Sequence, residues 1–387
     1  VRRLLFVANG HGETAIAARI AAELARPDRG LFGLDLFPLV GTGSGAAPLT
    51  VVGPRRTLPS GGLVAMGNVR AFARDLGAGF LGLFARQLAF LGTLRAYDAV
   101  VAVGDVYALA LALVARVPTV FVGTAKSVYV APYGAFERTV LRRAHRIFVR
   151  DAATAERLRA QGVAAEAPGN VIVDLALGRE GAPAGTWLGI LPGSRDEAYA
   201  DGTRLARVLR AVAQRSPDVG GLISLASTID VERFGRALAA DGWSISPERD
   251  PGRGGIAFEG RSGAARLLGW QGDLGPLFAA SRAVLGQAGT ANEQAAAAGL
   301  PVIALDRTDR RNGNAGSGAD WYRMRQRRLL GDALLLVPRD PEPAATAIVA
   351  LLADAERCRA MGVAGRVRMG PTGGTVAIAA AIEDLVR

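Results

Sequence analysis

The stretch 285–305, LGQAGTANEQAAAAGLPVIAL, constrains this chain most. It reads as strand, glycine turn, helix, glycine stop and strand again. Residues 283–285 are a short apolar strand, and 286–290 are a turn with little side-chain bulk. The alanine-rich run 292–298 is helical by propensity. Gly299 ends that helix, and Pro301 opens the next apolar strand, 302–305. A turn of small residues feeding a helix N-terminus presents free backbone N–H groups and the positive end of the helix dipole. That is a place for an anion, most often a phosphate. Glu293 and Gln294 lie in the first turn, within reach of a ribose. The plainer alternative is an ordinary βαβ crossover with a tight turn.

The N-terminus repeats the theme. Residues 3–8 read as a buried strand, 9–12 (NGHG) as a turn and 13–25 as a helix. This is how a doubly wound α/β domain opens. A second strand, 34–40, runs into the glycine cluster 41–45, which reads as a flexible turn. The segment 70–95 mixes phenylalanine, leucine and arginine, and glycines 77, 79 and 82 argue against one continuous helix. It suits core packing or docking on a membrane surface. Strand 99–103 ends at Gly104–Asp105, and strand 118–122 ends in GTAKS, 123–127. A carboxylate at the C-terminal end of a parallel strand sits where α/β sheets bind ligands. Residues 147–150 read as a further strand and 152–161 as a helix.

A linker follows at 177–186, rich in glycine, proline and alanine and without periodicity. Then the pattern restarts with strand 187–191, turn 192–195 and helix 197–214. Further strands are expected at 221–226, 265–268, 283–285, 302–305 and 334–337. At 387 residues the chain is too long for one ordinary core. The expected organisation is therefore two α/β halves, 1–178 and 186–374, with a terminal helical segment, 375–387, free to pack on either.

The turn Leu191–Arg195, LPGSR, is a second anion-binding candidate. Gly193 opens the backbone, Ser194 adds a hydroxyl and Arg195 a charged fork suited to phosphate. Two such turns in one domain fit a nucleoside diphosphate better than either alone. The polar, glycine-broken segment 306–328 has the character of a loop over a ligand, and Gln326 is a candidate polar contact within it.

Composition narrows the partners. The formal charge is +11, yet Lys126 is the only lysine, so the basic charge is nearly all arginine and looks like codon bias. No basic block stands alone and aromatics are few, which argues against nucleic acid. An anionic ligand or membrane surface suits the charge better. A single cysteine, Cys358, and two histidines, His11 and His145, leave no metal cluster of the usual kinds. No signal peptide is expected, nor any apolar run of ~18 residues able to span a bilayer. The expected setting is cytoplasmic, with possible peripheral contact at the inner membrane face through 72–91.

In order, several pieces resemble a GT-B glycosyltransferase related to lipid-A-disaccharide synthase. They are Gly12–Glu13, Val40–Gly41, Met66–Gly67, Val103–Gly104–Asp105, Ser127–Val128–Tyr129, the run 170–174 (NVIVD), Leu191–Arg195 and Gly289–Thr290–Ala291. The resemblance spans roughly residues 3–340. It implies two Rossmann-like doubly wound domains with a cleft between them. It further implies a nucleotide-sugar donor, usually a UDP sugar, on the C-terminal domain, a lipid-linked acceptor on the N-terminal domain, and inverting transfer without a bound metal or other cofactor. On that reading Asp105 is the catalytic base. Gly193, Ser194, Arg195, Gly289, Thr290, Glu293, Gln294 and Gln326 hold the donor. Gly12, Glu13, Met66, Lys126 and Ser127 line the acceptor side.

Three departures qualify it. The family's ribose-binding glutamate is replaced by Gln294, with Glu293 beside it. The first turn brings in His11, a second candidate acid or base near the acceptor. The stretch after Asp105 lacks the synthase's second acidic residue. A different acceptor is expected. Two other readings share the fold: a sugar-nucleotide 2-epimerase, and a non-catalytic nucleotide- or lipid-binding protein. Few acidic residues or histidines in the second-half turns weigh against the epimerase. The glycine turns do not make a full dinucleotide fingerprint.

Overall fold

The computed structural model describes residues 1–39, 41, 43, 47–56, 79–175, 181–194, 196–248, 255–306 and 318–387. The chain divides into two compact units. The first comprises Val1–Asp174 and Pro371–Arg387, and the second Leu175–Gly370.

In chain order the first unit holds β1 (Arg2–Ala8), β2 (Phe32–Pro38), β3 (Thr50–Val51), β4 (Ala99–Gly104), β5 (Thr119–Gly123), β6 (Arg146–Val149) and β7 (Ala165–Glu166). They form one parallel sheet in the order β3-β2-β1-β4-β5-β6-β7. The central strands β4 and β5 are apolar and buried along their whole length, as a sheet covered on both faces requires. The strand order reverses between β1 and β4. The crevice at the C-terminal ends of those two strands is where such sheets take ligands.

The first helix runs His11–Leu24, beginning two residues earlier than the sequence suggests, because Gly10 is extended and its carbonyl accepts from the N–H of Thr14. The closing helix Gly374–Leu385 packs on it within the same unit. Asp174 fastens that return. Its carboxylate accepts from the N–H of Gly373 at 2.8 Å and from the N–H and hydroxyl of Thr375 at 2.7 and 2.9 Å. Part of the phenylalanine-rich segment forms the helix Phe80–Gly92, started by Gly79 at φ +87. Its Leu83, Gln87 and Leu91 are buried at helical spacing, and Leu81 is 65% exposed.

The second unit holds β8 (Thr186–Leu191), β9 (Val219–Ser224), β10 (Ser244–Pro247), β11 (Ile256–Ser262), β12 (Ala265–Trp270), β13 (Ser281–Gly286), β14 (Val302–Leu305) and β15 (Leu334–Val337). Their order is β10-β11-β12-β9-β8-β13-β14-β15. The strands β12, β9, β8, β13, β14 and β15 pair in parallel. Leu188, Ile190, Ile223, Leu285 and Ile303 meet Leu205, Val208, Leu209 and Val212 of the helix Glu197–Arg215 in the core. Beyond β12 the sheet turns antiparallel through β11 and β10, which the sequence reading did not place. β11 carries glycine and charge and β10 is serine- and proline-rich, so both lack the apolar run that marks a buried parallel strand. A two-residue turn with Gly263 at φ +57 joins β11 to β12. Here too the order reverses, between β8 and β13.

Candidate functional site

Each unit places polar groups at its own strand-order reversal. In the first, β4 ends at Gly104 with φ +131. A Cβ there would strike Asn9 Oδ1 and lie 3.1 Å from Glu13 Cγ. Only glycine lets the end of β4 nestle against the turn after β1. Asp105 follows in extended conformation and caps the helix Val106–Ala112. Its Oδ1 accepts from the N–H groups of Tyr107 and Ala108 at 3.0 and 3.1 Å. Burial holds the Asp105 carboxyl above the ordinary carboxylate range, while the N–H groups of Ala108 and Tyr107 and the amide of Asn9 pull the other way. Tyr107 is pushed up to about 12, by burial first and then by the Asp105 charge.

The other described first-unit candidates follow β1 and β5. His11 opens the first helix, and Gly12 follows it. The Glu13 carboxylate reaches back over Gly10, where a Cβ would come within 2.5 Å of Oε2. Lys126 is ion-paired with Glu137 at 2.7 Å, and Glu137 also accepts from the N–H of Gly134. Ser127 is buried and shapes a turn, its carbonyl accepting from Val130 and Ala131 and its hydroxyl oxygen from the N–H of Tyr129. Met66 lies outside the described residues. Asn9 was not singled out in the sequence. Its signal was a polar residue directly after the first buried strand.

In the second unit the two glycine turns are joined. Leu191, the last residue of β8, lies opposite Gly286 of β13. The Leu191 carbonyl accepts from the N–H groups of Gln287 and Ala288 at 2.9 and 3.2 Å. The Gln287 side chain donates to the Leu305 carbonyl at 3.3 Å, tying the turn to β14 as well. Gly193 has φ +113 and open space where a side chain would stand. Ser194 is exposed, and its carbonyl accepts from the Thr228 hydroxyl at 2.6 Å. Arg195 lies outside the described residues.

The helix Thr290–Ala297 starts at Gly289 with no side-chain cap. Thr290 is exposed, while Glu293 and Gln294 are buried. Asn292 is buried too and occupies the space a Gly286 side chain would need; its Nδ2 donates to the Gly286 carbonyl at 3.3 Å, and its Oδ1 has no partner among the described residues. Gln326, on the helix Gly318–Leu330, is 2% exposed, and neither amide atom has a hydrogen-bond partner among the described residues. Among the described residues no His, Cys, Asp or Glu cluster suits a metal ion, and no helix is long and apolar enough to cross a membrane.

No protein-family model matches the sequence, and no curated protein matches it. Solved structures match in fold. The spinosyn forosaminyltransferase SpnP has a TM-score of 0.58 at 15% identity, with 100% of this chain and 99% of that one covered. A UDP-GlcNAc 2-epimerase from Neisseria meningitidis, bound to UDP-GlcNAc, has a TM-score of 0.55 at 12% identity, covering 99% and 100%. MurG from Acinetobacter baumannii has a TM-score of 0.53 at 15% identity, also covering 99% and 100%. With the two sheets described above, these likenesses show a two-domain α/β fold of the GT-B type.

Proposed function

We propose that the chain is an inverting glycosyltransferase, related to lipid-A-disaccharide synthase, that moves a sugar from a nucleotide donor, UDP-linked, to a hydroxyl of a lipid-linked or other hydrophobic acceptor. The observation that carries the reading is the hydrogen-bonded union of the turns after β8 and β13 in the second unit. The helices Glu197–Arg215 and Thr290–Ala297 start shortly after these turns, and the N–H groups at helix N-termini suit a diphosphate. In this reading Gly193, Ser194, Arg195, Gly289 and Thr290 take the diphosphate. Glu293, Gln294 and Gln326 take ribose and sugar hydroxyls. Gly12, Glu13, Met66, Lys126 and Ser127 serve the acceptor.

The reaction follows from these assignments. The acceptor oxygen attacks the anomeric carbon while Asp105 takes its proton, with His11 the other candidate for that role. The new C–O bond forms on one face as the bond to the diphosphate oxygen breaks on the other. The electron pair leaves with the nucleoside diphosphate, where the turn N–H groups meet the developing charge. The cap contacts that hold Asp105, and the burial that raises its carboxyl and so strengthens it as a base, support this role.

A peripheral contact with the inner membrane face through 72–91 is part of the proposal. In its described portion, Leu81 is the large apolar side chain left exposed. The fold shared with the Neisseria meningitidis 2-epimerase favours a second reading, epimerisation of the sugar while it remains on the nucleotide. One experiment separates them. Incubation with UDP-N-acetylglucosamine and no acceptor leaves a transferase's donor unepimerised, whereas an epimerase converts it. Epimerised product would overturn the transferase reading. A thermal-shift screen of UDP, GDP, TDP and CMP sugars tests both, since binding to the folded state must raise the melting temperature.

A further inference from the structure

At the far end of β8 from the glycine turns, the second unit carries a built recess with no role in the reading above. Trp187 and Leu191 stand at opposite ends of that strand, about 13 Å apart at ~3.3 Å per residue. The recess has a cavity volume of about 360 Å³ and is lined by Pro183, Trp187, Glu259, Arg261, Arg266 and Leu268, among others. That volume is at the small end of the ~300–1,000 Å³ usual for ligand pockets.

Its construction is specific. Trp187 pairs with Gly220 across β8 and β9. The Arg266 guanidinium stacks over the Trp187 ring, 4.7 Å from its centroid. Two glycines make room for that stack. A Cβ at Gly220 would lie 2.5 Å from the tryptophan ring and 3.1 Å from Arg266 Nε. A Cβ at Gly185, which has φ +127, would lie 3.1 Å from Trp187 Nε1 and 3.3 Å from Arg266 Nη2. The indole N–H donates to the Ala184 carbonyl at 3.1 Å, so the ring is fixed at both ends.

Arg261 stands directly opposite Arg266 across the antiparallel pair of β11 and β12. Opposed residues share one face of a sheet, and like charges so placed repel. Both side chains are exposed, and neither has an ion pair with the described residues. Glu259 lines the recess as well. Among the described lining residues there are two guanidiniums and one carboxylate. Arg261 and Arg266 line the same recess, and two planar guanidinium forks there suit the oxygens of a tetrahedral oxyanion.

We infer that this recess is a second anion site, which takes the phosphate of a small phosphate monoester between Arg261 and Arg266. The tryptophan stack holds one fork rigid, and the cavity leaves space for a carrier of a few carbons. The ligand differs from the proposed donor in needing neither a nucleoside nor a diphosphate.

Calorimetric titration of the full chain tests this at constant ionic strength. Glycerol 3-phosphate is the soluble probe, vesicles containing phosphatidic acid present the same phosphate on a lipid, and glycerol is the neutral control. The expected result is binding of glycerol 3-phosphate with one site per chain and none of glycerol. Arg261→Gln and Arg266→Lys should each weaken it at least about tenfold, the loss of a charge-assisted fork. Binding to the vesicles alone, lost in Arg261→Gln, would keep the phosphate chemistry and assign its source to a lipid headgroup. Arg261 is exposed, so its variant should fold even where changes at the Arg266 stack do not. Failure of both phosphate probes to bind, or equal binding by wild type and Arg261→Gln, overturns the inference.

Discussion

The main-chain carbonyl of Leu191 accepts a hydrogen bond from the N–H of Gln287 at 2.9 Å. The relationship makes one structure of two turns that lie nearly a hundred residues apart. Its geometry depends on Gly286, because the Asn292 side chain fills the place of the missing Cβ. Gly286→Ala should therefore displace the Asn292 amide and destabilise the second unit by about 1–3 kcal/mol, the usual range for overpacking. It should also weaken UDP binding, because the turn moves with the helix start. Adding Asn292→Ala should recover part of the stability. A double-mutant cycle read by urea denaturation and UDP calorimetry checks both effects, and strict additivity would refute the coupling.

Asp105 gives a prediction whose sign can be worked through. Burial raises its folded-state carboxyl above its unfolded value. Between those two values the folded chain binds more protons than the unfolded chain. This group's contribution to stability is therefore full below the unfolded value and is lost as pH rises through the folded one. Asp105→Asn removes that penalty and keeps a good helix cap. It should match or exceed wild type in melting temperature at neutral pH, while sugar transfer falls by about 10²–10⁴-fold. Asp105→Ala should lose the cap as well and destabilise by about 1 kcal/mol. Wild-type turnover should fall on the acid side, at a pH above that of an ordinary aspartate. Turnover unaffected in Asp105→Asn would remove Asp105 as the base.

Much of the scaffold was legible because it is written in local signals. The strands at 2–8, 99–104 and 119–123 contain the unbroken apolar runs 4–8, 99–103 and 120–122, and the glycines close after them announce turns. What was not legible depends on partners distant in sequence. β10 and β11 are half-exposed strands that alternate weakly and exist by pairing, β11 with β12 and β10 with β11. Asn9 became visible only when β4 brought Gly104 against it. Lys126 reads in the sequence as a lone cation, but Glu137, eleven residues on, pairs with it. The burial of Asn292 cannot be seen in an alanine-rich helix, because it follows from the contact with Gly286.

The run 170–174 entered the sequence reading as a weak family signal, and the structure gives it a mechanical role. The buried Asp174 carboxylate takes three hydrogen bonds from Gly373 and Thr375 across about 200 residues of chain. Nearby, the backbones at Gly169 and Gly374 approach so closely that a Cβ on Gly169 would meet the Gly374 nitrogen at 2.6 Å. Asp174→Ala would leave two buried donors of Thr375 and the part-buried N–H of Gly373 without this partner. At ~1–3 kcal/mol for each buried group, a loss of at least about 2 kcal/mol is expected for the first unit. Hydrogen exchange should show the closing helix Gly374–Leu385 opening ahead of the sheet. Protection of that helix equal to wild type would show that Asp174 does not hold it.

Gln326 carries the last prediction. Its amide is buried and neither polar atom has a partner among the described residues, a state that costs about 1–3 kcal/mol unless another group, a ligand or water completes it. Gln326→Met keeps the length and the volume but removes the polar atoms. Without a nucleotide sugar this variant should be at least as stable as wild type, because an unpaired amide has gone. If Gln326 serves the donor, affinity for the nucleotide sugar should drop about tenfold, one lost hydrogen-bonding group. Affinity for the bare nucleoside diphosphate tells which part of the donor it meets. An unchanged value assigns Gln326 to the sugar, and a matching drop assigns it to the nucleotide. A variant that is stabilised yet binds the complete donor as wild type does would reduce Gln326 to a packing residue.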